Sequence, residues 1–282
     1  MPEPEWYEPE SLEEALHLRA DLGDSAMVVA GGTFTGILVG QRLVRPDAFL
    51  HLGRVSGLDG IRAAEDLRLG AMVRHRAVEQ SPEVRERWQS LAATFAGVAS
   101  PRVRNQATVG GVLCDADYAS DPPAMFVALD ARVRLARQRE TRELSVEEFI
   151  TGHYSTQLQD DELLTEVIIP RAPARATYVK FRSRSSEDRP CAAVAVAADF
   201  EPDGSLRHLK VVAGAVADRP RFLADACELA RGRKLDVLLA RRIGDAYAEG
   251  VEAISDVRGS ATYRRRVLSV IVRRALEELM AA

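Results

Sequence analysis

Closely spaced cysteines and histidines are missing from this chain of 282 residues, and their absence excludes several kinds of site. The three cysteines, Cys114, Cys191 and Cys227, lie far apart. No C-x-x-C pair is present, so the chain offers no zinc or iron–sulfur ligand set of its own. The five histidines show no H-x-x-x-H spacing. We therefore expect no metal site, no catalytic histidine and no disulfide framework.

Lysine and long apolar runs are also scarce. Only three of the 38 basic residues are lysines, and the net charge is −4. No basic patch or nucleic-acid-binding motif is evident, so no nucleic-acid partner is expected. No window approaches the roughly 18 consecutive apolar residues of a membrane helix. Residues 1–14 are acidic and lack the basic and apolar regions of a secretory signal. The sequence thus predicts no membrane span and a cytoplasmic location.

The composition that is present, 46% hydrophobic and 28% charged, is typical of a globular protein. The length allows two packed domains. Short strands and helices alternate irregularly, with connections too short for a regular doubly wound sheet. We expect an α+β fold with a domain of residues 1–172, a linker at 171–176 (RAPARA) and a second domain of residues 177–282.

Local patterns predict the individual elements. Predicted helices are Ser11–Leu22 with a Ser11/Glu14 capping box, a stretch opening at Ser81, Leu91–Ala99, Pro123–Leu129, Arg221–Ala230, Val237–Ala248 and Ser260–Met280. Predicted strands are Ala26–Ala30, Ala48–Leu52, Leu67–Ala71, Arg132–Ala136, Glu166–Ile169, Thr177–Phe181, Cys191–Phe200 and Leu206–Val216, the last two forming a hairpin. The 23 residues from Pro101 to Pro123 have little periodicity, which predicts a long functional loop.

A glycine motif, AGGTFTG at residues 30–36, follows the strand Ala26–Ala30. Paired glycines permit positive φ and close approach of a ligand, and successive N–H groups in such a turn form an anion-binding nest. Thr33 and Thr35 add hydroxyl groups. The motif is neither G-x-G-x-x-G nor a P-loop, so it supports neither a Rossmann fold nor an NTPase. Taken alone, it is equally compatible with a plain tight turn.

A second glycine motif, TVGG at residues 108–111, lies inside the predicted loop. Two such motifs in one domain suit a diphosphate, which carries two charged groups. Downstream, Asp121 is placed either to accept a hydrogen bond from a ribose hydroxyl or to cap the following helix. Both interpretations stay open on the sequence.

With these motifs in place, the chain resembles the FAD-binding (medium) subunits of the molybdenum hydroxylases, which include xanthine, carbon monoxide, nicotinate and quinoline dehydrogenases. Order and spacing agree along nearly the whole chain. The matching segments are AGGTFTG (30–36), LVRP (43–46), LRLGAMVRHRAVEQSP (67–82), VASPRVRNQATVGG (98–111), SDPPAMFVALDA (120–131), EVIIP (166–170) and RGSATYRRRVLSVIVRRAL (258–276).

The resemblance implies the fold and the site. The fold is a two-subdomain FAD-binding domain of the PCMH/vanillyl-alcohol-oxidase type, followed by a smaller α/β C-terminal domain. The two glycine segments are implied to hold the pyrophosphate. Lys180 is implied to lie near the flavin, with a solvated strand lysine as an equal alternative. The implied FAD-binding residues are Ala30, Gly31, Gly32, Thr33, Phe34, Thr35, Thr108, Val109, Gly110, Gly111, Val112, Asp121, Ile168 and Lys180.

The resemblance also implies the function, an electron relay. A large partner subunit would hold the molybdenum cofactor and a small one the 2Fe–2S clusters, while electrons pass through FAD in this chain to an external acceptor. No catalytic residue is expected here, because the flavin carries the redox chemistry. The alternatives are a stand-alone flavin oxidoreductase and a scaffold subunit that has lost FAD.

Several residues depart from the family pattern. Val112 replaces a frequent asparagine, Tyr118 a frequent proline and Phe34 a frequent polar residue. Asp115 and Asp117 add carboxylates beside the expected diphosphate, and these disfavour FAD binding unless they point away. Cys114, next to them, is interpreted as a small packed hydrophobic residue rather than a flavin contact.

Overall fold

The structure is a computed structural model, and it describes residues 3–182, 184–185 and 187–281. Its helices are α1 Leu12–Leu22, α2 Thr35–Gly40, α3 His75–Gln80, α4 Pro82–Arg87, α5 Gln89–Ala96, α6 Pro101–Arg104, α7 Val109–Asp115, α8 Asp121–Ala128, α9 Val146–Phe149, α10 Ala224–Glu228, α11 Val237–Gly250 and α12 Ala261–Ala281. Its strands are β1 Glu5–Tyr7, β2 Ala26–Val29, β3 Ala48–His51, β4 Ile61–Ala63, β5 Leu67–Gly70, β6 Arg132–Arg137, β7 Glu140–Ser145, β8 Ile150–Gly152, β9 Ser155–Thr156, β10 Leu163–Ile169, β11 Arg175–Phe181, β12 Ala192–Phe200, β13 Leu206–Gly214 and β14 Arg221–Phe222.

These strands form four sheets in the described part of the chain. A small parallel sheet has the order β1-β3-β2, and a five-stranded antiparallel sheet has the order β4-β5-β10-β6-β7. The C-terminal half builds an antiparallel sheet of order β11-β12-β13-β14, and β8 pairs with β9. Helices and mixed sheets together confirm the α+β prediction.

The strand β12 lies between the two largest cores. Its sequence, AAVAVAADF, alternates small apolar side chains between the two faces of the sheet. Ala195 and Ala197 belong to a core shared with α8 and the five-stranded sheet. Val194 and Val196, on the other face, belong to a core shared with α11 and α12. Because both faces of the strand are covered, seven of its nine residues are buried.

Several predicted elements are confirmed. Ser11 Oγ caps α1 by accepting from Glu14 N–H at 3.1 Å. The return bond of the box comes from Glu10 N–H rather than Ser11 N–H, at 2.9 Å. The hairpin β12–β13 is present. The predicted apolar face of α12, which is buried as expected, consists of Leu268, Ile271, Val272, Ala275, Leu276 and Leu279.

Two predictions about elements are wrong. The stretch Pro101–Pro123 is not one long loop, since it contains α6, α7 and the start of α8. Helices of four and seven residues are too short to show an apolar period, and two glycines lower the helix propensity of α7. The predicted helix Arg221–Ala230 begins as strand β14, which pairs with β13, and only Ala224–Glu228 is helical.

Candidate functional site

A cavity of about 330 Å³ lies between the two halves of the chain, within the size range of small-molecule and cofactor sites (roughly 300–1,000 Å³). Its walls come from the segment 30–35, from α7, from residues 119–122 and from the C-terminal half at Lys180 and residues 187–189. Apolar side chains, among them Leu163 and Leu164 of β10, complete the walls. The site therefore depends on both halves of the fold.

The first glycine segment leaves the end of β2 and enters α2. Gly32 has a φ of 69°, a left-handed conformation that favours glycine. The N–H groups of residues 31–35 donate to no acceptor in the described residues, and the same holds for the hydroxyl groups of Thr33 and Thr35. Unpaired N–H groups on a cavity wall are costly without a partner. This segment is therefore prepared to bind an anionic ligand.

The second glycine segment does not offer the free N–H groups that the sequence predicts for an anion-binding turn. Its N–H groups are already occupied within the protein: Gly110 N–H donates to the Ala71 carbonyl at 2.8 Å and Gly111 N–H to Thr108 Oγ1 at 3.1 Å. Val112 N–H donates to the Thr108 carbonyl. Thr108 is thus the N-cap of α7, and the segment is not a second nest of free N–H groups.

The glycines of both segments allow two backbones to pack closely. A Cβ on Gly31 would lie 2.1 Å from the carbonyl oxygen of Gln106. A Cβ on Gly110 would lie 2.7 Å from the Cβ of Ala71. Both distances are far below ordinary contact. Gly31 is required because the first segment rests on the chain that leads into α7, and Gly110 is required because α7 begins against Ala71, just after β5.

A buried histidine helps to hold the second segment. His75, at the start of α3, lines the cavity and is 1% exposed. Its Nε2 lies 3.1 Å from the Thr108 carbonyl. Burial lowers the pKa of His75 to about 4, so the ring is neutral and donates from Nε2. The sequence offered no ligand spacing that would have drawn attention to it.

Asp121 and Lys180 form a buried ion pair at the cavity wall. Asp121 Oδ2 accepts from Lys180 Nζ at 2.8 Å, and Oδ1 accepts from the Tyr178 hydroxyl at 2.8 Å. Lys180 Nζ also donates to the Gly97 carbonyl at 3.0 Å. The solvated-lysine alternative is therefore wrong. Capping by Asp121 is wrong as well, because Ser120 is the N-cap of α8. Burial raises the pKa of Asp121, and the Lys180 ammonium opposes that rise.

The two added carboxylates lie in different environments. Asp117 is buried, points to Arg189 and forms an ion pair with it, and it also accepts from Ala119 N–H at 2.9 Å. Asp115 faces the cavity and makes no hydrogen bond or ion pair with any described residue. Burial raises the pKa of Asp115 to about 7, and the Arg189 guanidinium opposes the rise.

Cys114 is not a packed core residue, contrary to the expectation. It is exposed to the cavity and lines its wall. The surrounding protein limits hydration of the thiol and raises its pKa to about 12, with a smaller contribution from the Asp115 carboxylate. The thiol is therefore neutral and unreactive near pH 7.

Tyr118 connects the cavity region to the C-terminal half. Its hydroxyl donates to Asp256 and accepts from Arg258 at 3.0 Å. Asp256 also accepts from Arg264 at 2.7 Å, and the Arg264 side chain is fully buried. These neighbours hold the pKa of the Asp256 carboxyl far below its usual range. The replacement of the family's frequent proline thus gives the two halves a polar connection.

Most of the predicted binding residues meet in this cavity. Ile168 does not: it is buried in β10, between β5 and β6, away from the cavity wall. Val109 is buried behind the wall. The predicted residues that line the cavity are Ala30, Gly31, Gly32, Thr33, Phe34, Thr35, Thr108, Gly110, Gly111, Val112, Asp121 and Lys180.

Comparison with known families and proteins identifies the chain. Residues 2–172 match the model of the FAD binding domain in molybdopterin dehydrogenase, and residues 176–279 match that of the CO dehydrogenase flavoprotein C-terminal domain. The chain belongs to the FAD-binding medium subunits of the molybdenum hydroxylases. It is 31% identical to the nicotine 6-hydroxylase medium subunit of Paenarthrobacter nicotinovorans over 99% of this chain and 98% of that protein.

Other medium subunits are similar in sequence and in structure. The carbon monoxide dehydrogenase medium chain of Hydrogenophaga pseudoflava is 30% identical over 98% of this chain and 97% of that protein. A chain of quinoline 2-oxidoreductase from Pseudomonas putida 86 superposes with a TM-score of 0.92, at 30% identity, over 98% of this chain and 96% of that one. The expected fold of an FAD-binding part and a C-terminal part is confirmed.

The residues present fit the family's cofactor, FAD. The N–H groups of residues 31–35, which donate to no described residue, suit the pyrophosphate. Of the two added carboxylates, Asp117 is directed to Arg189 and away from the cavity, whereas Asp115 faces it. Within the described residues no group of side chains could hold a metal ion. The same residues include no helix long and apolar enough to cross a membrane.

Proposed function

We propose that this medium subunit relays electrons. They would arrive from 2Fe–2S clusters in a small partner subunit, pass through FAD in the cavity between the two halves, and leave to an external acceptor. A large partner subunit would hold the molybdenum cofactor. The observation that carries the proposal is the row of N–H groups at residues 31–35 that donate to no described residue, in a chain that belongs to this family.

In this arrangement the chain binds and orients the cofactor, and FAD supplies the redox chemistry when it is bound. Residues 31–35 would hold the pyrophosphate through N–H groups and the Thr33 and Thr35 hydroxyls. The second segment would contribute the surface of α7 rather than free N–H groups. The Asp121–Lys180 pair, buried at the wall, would fix α8 against β11 and exclude water. Ile168 and Val109 are not part of the proposed site. The proposed boundary between the two domains stays at residues 171–176.

The test is an absorbance spectrum of the purified full-length chain, with the released chromophore identified by mass. We expect a flavin band at close to one FAD per chain. Gly32→Val serves as the binding-deficient variant, because a β-branched residue is strained at a φ of 69°. Gly204→Val is the matched control, since it introduces the same strain at a φ of 83° in the turn after β12, away from the cavity.

Three outcomes separate the proposal from its alternatives. FAD in the wild type and in the Gly204→Val control, with loss in Gly32→Val, supports the site. A folded chain that stays colourless with FAD and with its partner subunits would instead favour a scaffold that has lost the cofactor. Substrate turnover by the isolated chain would favour a stand-alone oxidoreductase.

A further inference from the structure

One carboxylate on the cavity wall makes no hydrogen bond or ion pair with any described residue. Asp115 is the last residue of α7, four residues after Gly111. Residues four apart lie on the same side of a helix, about 6 Å apart along its axis. Both line the cavity. Asp115 therefore lies on the same side of α7 as Gly111, whose backbone approaches Ala30 of the first glycine segment.

The other charged and titratable groups around Asp115 are already compensated or neutral. Asp121 is paired with Lys180, and Asp188 accepts from Ser185 N–H and is paired with Arg184. Glu187 is exposed. The thiol and ring groups are those of Cys114, His75 and Tyr154, whose pKa values burial shifts so that each is neutral near pH 7. The cation that faces Asp115 is Arg189, which is itself paired with Asp117.

We propose that Asp115 takes up a proton from solvent when FAD in this cavity is reduced. The inference rests on the proposed function. Two electrons enter the cofactor from the donor, a partner iron–sulfur cluster or a chemical reductant, and one proton binds the flavin ring. A second proton binds the Asp115 carboxylate, forming one O–H bond at Oδ and neutralising its charge. No bond breaks in the protein.

The physical cause is the charge that remains on the reduced cofactor. A negative charge nearby in a poorly hydrated cavity disfavours the ionised carboxylate, so the pKa of Asp115 rises on reduction. Since burial raises that pKa to about 7 before any charge of the cofactor is added, the additional proton is taken up at about pH 7 and above. We expect the pH range between the pKa values of Asp115 in the oxidised and reduced states to span about one to two pH units. Well below pH 7, Asp115 is neutral in both redox states and does not change the midpoint potential.

The experiment is a dye-equilibrated reductive titration of FAD in the purified full-length chain between pH 5.5 and 9. In a two-electron couple, each proton shifts the midpoint potential by about 30 mV per tenfold change in proton concentration. We expect the slope of the wild type to exceed that of Asp115→Asn by about this amount above pH 7. Near pH 5.5 the two potentials should converge.

Three further variants make the comparison specific. Asp115→Glu keeps a titratable carboxyl and should retain the additional slope. Asp188→Asn removes a paired carboxylate from the same cavity wall, and Cys114→Ser changes the neighbouring residue without adding a charge. For both variants, the curve of midpoint potential against pH should run parallel to that of the wild type. Parallel curves for the wild type and Asp115→Asn would overturn the inference.

A second measurement needs no variant. Reduced-minus-oxidised infrared spectra of the wild type at pH 8 should show a new protonated-carboxyl band, and its absence also overturns the inference. A wild type that binds no FAD would contradict the proposed function itself. FAD binding with neither the slope difference nor the band contradicts only the role of Asp115.

Discussion

The buried pair of Lys180 and Asp121 gives a prediction whose magnitude follows from the structure. The two side chains are 7% and 5% exposed, and their charged atoms are 2.8 Å apart. Lys180→Met would leave the Asp121 carboxylate buried without its ammonium partner, with the Tyr178 hydroxyl still donating, and it would remove the bond to the Gly97 carbonyl. Breaking a buried ion pair on one side costs about 3–5 kcal/mol.

That loss should be visible in thermal unfolding of the FAD-free chain, followed by far-UV circular dichroism. At roughly 2–4 °C per kcal/mol for a chain somewhat smaller than this one, the midpoint should fall by roughly 6–20 °C. Lys234→Met is the matched control: Lys234 is exposed, so its replacement should change stability by about 0.5 kcal/mol or less.

The loss of stability in Lys180→Met should depend on pH, and the direction follows from the pKa of Asp121. Burial raises the pKa of Asp121 even with the lysine in place. Without Lys180, that pKa rises further, so the folded variant binds a proton more tightly than the unfolded chain does. A group with a raised folded-state pKa stabilises the fold at low pH and loses this effect as pH rises. The deficit of Lys180→Met should therefore be smaller at pH 5 than at pH 8.

The double variant Lys180→Met/Asp121→Asn tests whether the cost comes from the unpaired charge. Its loss of stability should be clearly smaller than the sum of the two single losses, because neither variant side chain is charged. An unfolding midpoint of Lys180→Met within about 2 °C of the wild type, equivalent to about 1 kcal/mol or less, would refute the reasoning.

Two further predictions concern close packing and a buried guanidinium. In Gly31→Ala the new Cβ would lie 2.1 Å from the Gln106 carbonyl oxygen, so the amount of bound FAD should fall at least about tenfold. Gly36→Ala is the control and should retain FAD, because no atom lies within 4 Å of its new Cβ. Equal FAD content in the two variants would contradict this prediction. Arg264→Met should cost about 3–5 kcal/mol in thermal unfolding, because the fully buried guanidinium and its ion pair with Asp256 are lost. The exposed neighbour Arg265 is the control, and a similar loss in Arg265→Met would show that burial is not the cause.

Long periodic segments could be predicted from the sequence, and short or charged ones could not. The helix α12 and the hairpin β12–β13 have enough residues for their apolar period to stand out. The strand β7, ETRELS, was not predicted, because it is a charged edge strand that pairs only with β6. Its position depends on partners, not on its own pattern.

In the candidate site, too, features with a local sequence pattern could be predicted, and features that depend on distant partners could not. The first glycine segment could be predicted, because a strand followed by paired glycines is a local pattern. The pairing of Asp121 with Lys180 joins residues 59 positions apart and needs the fold to bring them together. The internal hydrogen bonds of Gly110 and Gly111 were equally hidden, because the sequence alone does not show which N–H groups α7 uses for itself.

Because both halves of the chain form the cavity, its completion depends on how far synthesis of the chain has advanced. Side chains of β12 and β13 complete the core on which α8 rests, and Lys180 and Arg189 belong to the later half of the chain. While the ribosome is still making that half, the first 170 residues lack the part of the core that β12 and β13 supply and the cavity wall at Lys180 and Arg189. Stable loading of FAD therefore waits until translation has passed β13, so the cofactor joins a nearly finished polypeptide.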